Sequence, residues 1–228
     1  MQKIFLSSVM FLVLVGAVVA FIVLNPPQKK EEEQSSPSGW DQQDVSQAKE
    51  QDVNEAFLEE LKTRHPEGES YVAGMLEARA LLQDSDKTND LSAVLDIGTY
   101  LNLLGEKELA AGWYQGALDI DPTNILALNN LANIYDELGY YTDSEAAWLD
   151  LISLYPDKPQ FYRSLGYLYR YRLNKSPADI EVFFVTGLEA TNNHADLLSW
   201  MISYFLEIGD NERFAKYANL LNAQSRPQ

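Results

Sequence analysis

The stretch Leu128–Tyr141 (LNNLANIYDELGYY) decides the fold of this chain. It lies between Pro122 and Pro156, which are 34 residues apart, and a similar stretch, Leu95–Lys107 (LDIGTYLNLLGEK), precedes Pro122. Helix–turn–helix units that recur at this spacing predict a solenoid, in which each unit buries its apolar face only by stacking on its neighbours. A solenoid exposes a long surface, so the repeat favours a binding function over a catalytic one.

The first unit shows the helical pattern most clearly. Its residues Val94, Ile97, Leu101 and Leu104 recur at intervals of three and four, which places them on one helical face. Gly105 follows directly, and a glycine at this point predicts a helix that ends in the left-handed conformation. We therefore expect one helix up to Leu104 and a second helix before Pro122.

Two successive units share a set of small, aromatic and turn residues. In Leu91–Asn124 these are Ile97, Gly98, Leu101, Gly105, Ala110, Tyr114, Ala117 and Pro122. In Ile125–Lys158 they are Leu128, Leu131, Ala132, Tyr135, Gly139, Trp148 and Pro156, while Ser144 and Leu151 stand where alanine is usual. This set resembles the tetratricopeptide repeat family, and the resemblance implies a pair of closely packed antiparallel helices in each unit.

Two further units, residues 159–194 and 195–228, fit the same pattern more loosely. The turn between Tyr171 and Pro177 is about two residues longer than in the first two units, and the closing helix Asn211–Ala223 is polar. A polar last helix is typical of the terminal cap of a solenoid. The resemblance implies an all-α tetratricopeptide-type solenoid of about four repeats, two clear and two degraded.

Residues 52–90 precede the repeats and contain two amphipathic segments, Val53–Arg64 and Tyr71–Gln83. We predict that both are helices and that their apolar residues pack on the first repeat, namely Leu58, Leu61, Met75, Leu76 and Leu81. The segment is either an N-terminal cap or a fifth, degenerate repeat, and we favour the cap.

Residues 1–24 predict a membrane anchor. The run Ile4–Leu24 is apolar apart from Ser7 and Ser8, and about 20 such residues suffice to span a bilayer. A cleaved signal peptide is the alternative, with Val18–Ala20 as a cleavage site, but the apolar run continues past it. Residues 25–51 are rich in Pro, Gln, Ser and Glu and predict a disordered linker.

The orientation of this single-pass anchor follows from its flanks. Lys29 and Lys30 on the trailing side argue against export of the C-terminal domain. The short leading tail and the acidic body behind it fit a bacterial signal-anchor. We favour a C-terminal domain on the extracytoplasmic side, periplasmic or external.

Composition excludes several classes of function. The 228-residue chain has 17 Lys and Arg against 34 Asp and Glu, a net charge of -17, which disfavours nucleic-acid binding. It has no cysteine, and His65 and His194 have no second ligand at metal-binding spacing. Asp119 and Asp121 lack the glycine and glutamate of a calcium loop, so turn chemistry explains them better. We predict no catalytic residues, metal site or cofactor, and a protein that is not an enzyme.

The charges are distributed unevenly. Residues 91–158 carry 11 acids and 2 bases, whereas residues 159–194 carry 3 acids and 4 bases. By resemblance to the family, the first helix of each repeat lines a concave groove. The residues predicted to line it and bind a peptide are Asn129, Asn133, Arg163, Tyr167 and Arg170, with Asp136, Ser199 and Ser203 beside them.

The chemistry of these residues suggests a partner. Asparagines bond a peptide backbone and arginines clamp a carboxylate, so an acidic or C-terminal segment is expected. Members of the family that bind the C-terminal tails of chaperones hold the carboxylate with a lysine and an asparagine. Leu95 and Thr99 stand at these positions here, so a clamp of this kind is not expected. In the alternative interpretation the arginines pair with neighbouring acids and the asparagines keep the groove hydrated.

The function predicted from these features is that of a membrane-tethered adaptor or chaperone-like protein. It would bind a peptide or protein partner in its concave groove, with envelope protein translocation, envelope assembly and cytochrome maturation as candidate settings. The alternative is a structural scaffold or self-association module of a membrane complex, without a linear peptide ligand.

Overall fold

The computed structural model describes residues 53–83 and 90–224, which form ten α-helices and a 3-10 turn at Pro66–Gly68. The helices are α1 (Glu55–Arg64), α2 (Glu69–Gln83), α3 (Asp90–Leu103), α4 (Lys107–Ile120), α5 (Ile125–Leu138), α6 (Tyr141–Leu154), α7 (Pro159–Tyr171), α8 (Pro177–Ala190), α9 (Ala195–Glu207) and α10 (Asn211–Gln224). None of these ten helices is long and apolar enough to cross a membrane. The predicted anchor (1–24) and linker (25–51) lie outside the described residues.

The helices are arranged as an all-α solenoid, as predicted. Each helix from α2 onward packs chiefly on its neighbours in the chain, and α7 also packs on α9. The pairs α3/α4, α5/α6, α7/α8 and α9/α10 begin within one residue of the predicted repeat boundaries. Three clusters of buried side chains follow one another along these pairs, so the core is extended in the direction of the chain.

A small residue on the first helix of a repeat faces an aromatic ring on the second helix. A Cβ atom on Gly98 would lie 3.2 Å from the ring of Tyr114, and one on Gly166 would lie 2.4 Å from Cζ of Phe184. Ala132 and Trp148 hold the equivalent positions in the second repeat and share one buried cluster. The close approach of the two helices therefore depends on the small residue.

The two departures from the usual alanines in the second repeat are accommodated inside the core. Ser144 and Leu151 are both fully buried. The Ser144 hydroxyl donates a hydrogen bond to the backbone carbonyl of Ala132 over 2.7 Å, so its burial leaves no unpaired polar group.

Glycines end the first helices of three repeats. Gly105, Gly139 and Gly209 have φ angles of 83°, 84° and 75°, which confirms the predicted left-handed end at Gly105. In the third repeat five residues connect α7 to α8, against two between α5 and α6, and Asn174 adopts φ 48° instead. The longer turn predicted there is thus present, and asparagine tolerates its left-handed backbone.

Replacing Gly139 with alanine is expected to lower the free energy of unfolding by about 1 kcal/mol, because an L side chain is strained at this φ angle. Urea denaturation followed by circular dichroism measures the change. Gly139→Asn is the control and should lose less, since asparagine visits this conformation more readily. Equal losses in both variants would show that backbone strain does not decide the effect.

The N-terminal helices α1 and α2 pack on the first repeat through three of the five residues predicted for this contact. Leu58, Leu61 and Met75 are buried in the cluster that contains the core of α3. The prediction was wrong for Leu76 and Leu81, which are 39% and 40% exposed. The buried stripe of α2 runs through Val72, Met75 and Ala78, and its geometry turns Leu76 and Leu81 away.

The last helix, α10, is largely polar, and Tyr217 is its buried residue. Glu181 of α8 holds it in place. This carboxylate accepts hydrogen bonds from Tyr217 Oη at 2.5 Å, Arg213 Nε at 2.6 Å and Lys216 Nζ at 2.9 Å. The predicted terminal cap is therefore attached by a charged cluster as well as by apolar packing.

Candidate partner-binding face

The predicted binding residues lie on the first helices of two successive repeats. Asn129 and Asn133 are on α5, and Arg163, Tyr167 and Arg170 are on α7. Spacings of three and four place the residues of each helix in one stripe. We call this surface the first-helix face; it continues on α9 through Asp196, Ser199, Ser203, Leu206 and Glu207.

Ion pairs connect these stripes. Arg163 Nη1 lies 3.7 Å from Asp196 Oδ2, and Arg170 pairs with Glu207, so both pairs join α7 to α9. In the other direction, Arg172 Nε donates to Asp136 Oδ1 of α5 over 2.8 Å. These ion pairs thus link the third repeat to the first helices of the second and fourth repeats.

All four bases of residues 159–194 are neutralised within the fold. Besides the three arginines, Lys175 Nζ lies 3.7 Å from Glu145 Oε1. The basic region seen in the sequence is therefore a set of bonds between repeats, as the alternative interpretation expects. Most of these pairs are exposed, and an exposed pair contributes only about 0–1 kcal/mol.

Arg170 is held more firmly than the others. Its guanidinium lies 4.6 Å from the centre of the Tyr171 ring and 5.0 Å from that of Tyr204, and only 14% of its side chain is exposed. Contact with two rings adds a cation–π attraction to the ion pair with Glu207. Arg170 consequently acts as a fixed support for the tyrosines rather than as a free cation.

Tyr167 and Tyr171 present the largest aromatic surface of this face. They are 54% and 45% exposed, their ring centres are 4.3 Å apart, and their planes meet at 46°. We call them the tyrosine pair. Exposed tyrosines are well suited to contact a partner, because each ring has an apolar body and a polar tip.

The asparagines of α5 differ in what they can still bind. Asn133 Nδ2 donates to the backbone carbonyl of Asn129 over 2.7 Å, so this donor is used within the helix. Within the described part of the chain, the side-chain amide of Asn129 makes no hydrogen bond. On α9 the hydroxyl of Ser203 donates to the carbonyl of Ser199 over 2.9 Å. The side-chain amide of Asn129 is therefore available to bond a partner's backbone.

Tyr171, Leu206 and Glu207 also lie on this face but were not predicted from the sequence. Leu206 is 58% exposed and lies beside Glu207 at the end of α9. Adding the 36-residue length of the third unit (159–194) to Arg170 and Tyr171 leads to Leu206 and Glu207, so the repeat itself carries the signal.

The aspartates and histidine at repeat boundaries have local roles. Asp121 accepts hydrogen bonds from the side chains of Thr123 and Asn124 and from the Thr123 amide, and these bonds lower the pKa of its carboxyl. Asn124 and His194 accept hydrogen bonds from the first turns of α5 and α9. No cluster of three or more His, Asp or Glu side chains suited to a metal ion occurs in residues 53–83 and 90–224.

Solved structures with a similar fold come from several bacteria. A tetratricopeptide repeat protein from Parabacteroides merdae is 19% identical, with 73% of this chain and 66% of that chain covered and a TM-score of 0.55. For pilF from Pseudomonas aeruginosa the identity is 20%, the coverages are 81% and 79%, and the TM-score is 0.50. MamA from Desulfovibrio magneticus is 13% identical, with 77% of this chain and 98% of that chain covered and a TM-score of 0.50.

These structural similarities show the fold, while no curated protein matches the sequence. A family model does match: residues 113–148, from the middle of α4 to the middle of α6, fit the model described as tetratricopeptide repeat. The match covers the region with the clearest 34-residue pattern. The match shows that residues 113–148 contain a tetratricopeptide repeat, and the solved structures show that the chain shares the fold of tetratricopeptide repeat proteins.

Proposed function

We propose that this protein is an adaptor that binds a segment of a partner protein on its first-helix face. The observation that carries the proposal is the tyrosine pair, because two rings about half exposed lie side by side there. The first-helix face corresponds to the concave groove expected from the family. Asn129 would bond the partner's backbone, while Arg163 and Arg170 hold the helices in position.

The proposal includes a membrane tether and no catalysis. The apolar run Ile4–Leu24 would anchor the chain, and residues 25–51 would give the repeat domain reach. We propose the extracytoplasmic side for the repeats, with envelope protein translocation, envelope assembly or cytochrome maturation as the setting. The charged clusters of the described region support repeat packing, which favours a binding function over an enzymatic one.

Site-specific photo-crosslinking tests this function. A photoreactive phenylalanine analogue at Tyr167, in the full chain in native membranes, is expected to capture one discrete protein that mass spectrometry identifies. The matched control is the same analogue at Val182, which is 69% exposed but lies on α8, a second helix. The control position should capture this protein far less.

The other outcomes are equally informative. Crosslinks only between copies of this chain would favour the scaffold alternative over the adaptor. A broad range of captured proteins would indicate a chaperone-like holder of unfolded clients. Equal capture from Tyr167 and Val182, or none from either, would contradict a binding role for the first-helix face.

A further inference from the structure

The charges of the first-helix face constrain the partner that it can bind. The exposed arginine Arg163 already faces Asp196, and Arg170 is enclosed by Glu207 and two rings. An acidic segment would have to displace these carboxylates, and a basic segment would have to displace the arginines. An uncharged segment displaces neither, so the neutral surface around the tyrosine pair complements a partner segment without charge.

The geometry of the tyrosine pair favours a rigid, ring-shaped side chain. The two rings lie on adjacent turns of α7 with their centres 4.3 Å apart and their planes tilted by 46°, so they form one continuous aromatic surface. Arg170 packs against the Tyr171 ring and limits its movement. Aromatic surfaces of this kind receive proline-rich segments, whose polyproline II conformation is formed before binding and therefore loses little entropy.

The polar group on α5 suits the backbone of this segment. Polyproline II has no internal hydrogen bonds, so its carbonyls need donors from solvent or from a partner. Asn129 has a side-chain amide that can donate, one repeat away from Tyr167. Proline has no backbone N–H, so it needs no hydrogen-bond acceptor and can pack on aromatic rings without leaving a donor unpaired.

We infer that the first-helix face binds an uncharged, proline-containing segment in the polyproline II conformation, with proline rings on Tyr167 and Tyr171 and backbone carbonyls towards Asn129. This inference rests on the proposed function and specifies its partner. It replaces the acidic or C-terminal segment expected from the sequence, because the arginines that would have bound a carboxylate are paired.

The test uses the full chain in detergent and a fluorescent peptide of repeated alanine–proline–proline triplets. Two peptides of equal length serve for comparison, one of alanine, glycine and serine and one rich in aspartate. Fluorescence anisotropy should show the proline peptide binding more tightly than both. Tyr167→Ala and Tyr171→Ala should each weaken binding by about tenfold, as expected for the loss of an aromatic contact.

Two control variants separate the contact from the fold and from charge. Val182→Ala removes an exposed side chain on α8 and Glu189→Gln removes an exposed charge on the same helix, away from the first-helix face, and neither should change binding of the proline peptide. Circular dichroism should show the same helicity in all four variants. Preference for the aspartate-rich peptide, lost in Arg163→Gln, would overturn the inference in favour of an acidic partner.

Failure of the inference is distinguishable from failure of the proposed function. If Tyr167 captures its partner but excess proline peptide neither binds nor reduces the capture, the inference is wrong and the adaptor function stands. If Tyr167 captures no partner, the proposed function is wrong as well. If the proline peptide suppresses the capture, both are supported.

Discussion

Replacing Gly166 with alanine is expected to lower the free energy of unfolding by about 1–3 kcal/mol, although alanine is the better helix former. The added Cβ would lie 2.4 Å from Cζ of Phe184, which is closer than two carbon atoms can approach. The Phe184 ring cannot simply move away, because it is fully buried and stacks on Trp200 at a centre distance of 4.2 Å. The helices α7 and α8 must therefore separate.

Thermal and urea denaturation of Gly166→Ala measure this effect, and a second substitution identifies its cause. Phe184→Leu shortens the side chain that the new methyl group meets. The double variant should be more stable than the sum of the two single losses predicts, because each change relieves the strain or the cavity made by the other. Simple additivity would show that the contact with Phe184 is not the source of the loss.

Replacing Glu181 with glutamine is expected to destabilise the protein by about 2 kcal/mol at neutral pH, because hydrogen bonds to a charged acceptor are strong. Burial alone would raise the pKa of Glu181. The hydrogen bonds from Lys216, Tyr217 and Arg213 outweigh burial and lower the pKa to about 2, from an ordinary value of 4.5. A lowered pKa in the folded state means that the ionised carboxylate stabilises the fold.

The pH dependence of this contribution has a definite sign. It is fully present above about pH 4.5 and is lost as the pH falls towards about 2, where the folded protein also binds the proton. The difference in melting temperature between wild type and Glu181→Gln should therefore be large at pH 7 and shrink below pH 4.5.

A matched control comes from the same helix. Glu189→Gln changes an exposed carboxylate of α8, and its melting temperature should follow that of wild type across the pH range. A constant difference between wild type and Glu181→Gln down to pH 2 would contradict the role of the ionised carboxylate. Hydrogen exchange should show where stability is lost first, namely in α10, which Glu181 holds.

Local chemistry and periodicity explain what could be predicted from the sequence. Gly105 predicts the end of its helix because a left-handed backbone excludes most side chains. Gly98 predicts a close approach of the two helices at Tyr114 because it has no side chain. Both signals recur in successive repeats, so a helix boundary that is ambiguous in one repeat can be assigned from the equivalent position in the next. The orientation of Leu76 lacked such support, since residues 52–90 do not show the repeat pattern.

The state of the binding face could not be predicted in the same way. Arg163 and Asp196 are 33 positions apart and Asp136 and Arg172 are 36 apart, so each pair depends on how two repeats pack. Counting the bases of residues 159–194 identified a positive region but not its partners. Tyr171, by contrast, could have been predicted, because its spacing of four from Tyr167 places both rings on one helical face.

The ion pairs on either side of α7 also have a mechanical consequence. The joints between the second, third and fourth repeats are bridged by charges, most of them exposed, whose attraction is screened when the Debye length shortens. The bending stiffness of the stack at these joints therefore falls as ionic strength rises, while the aromatic core beneath keeps the repeats attached. Salt should therefore make the solenoid more flexible at the joints on either side of the third repeat.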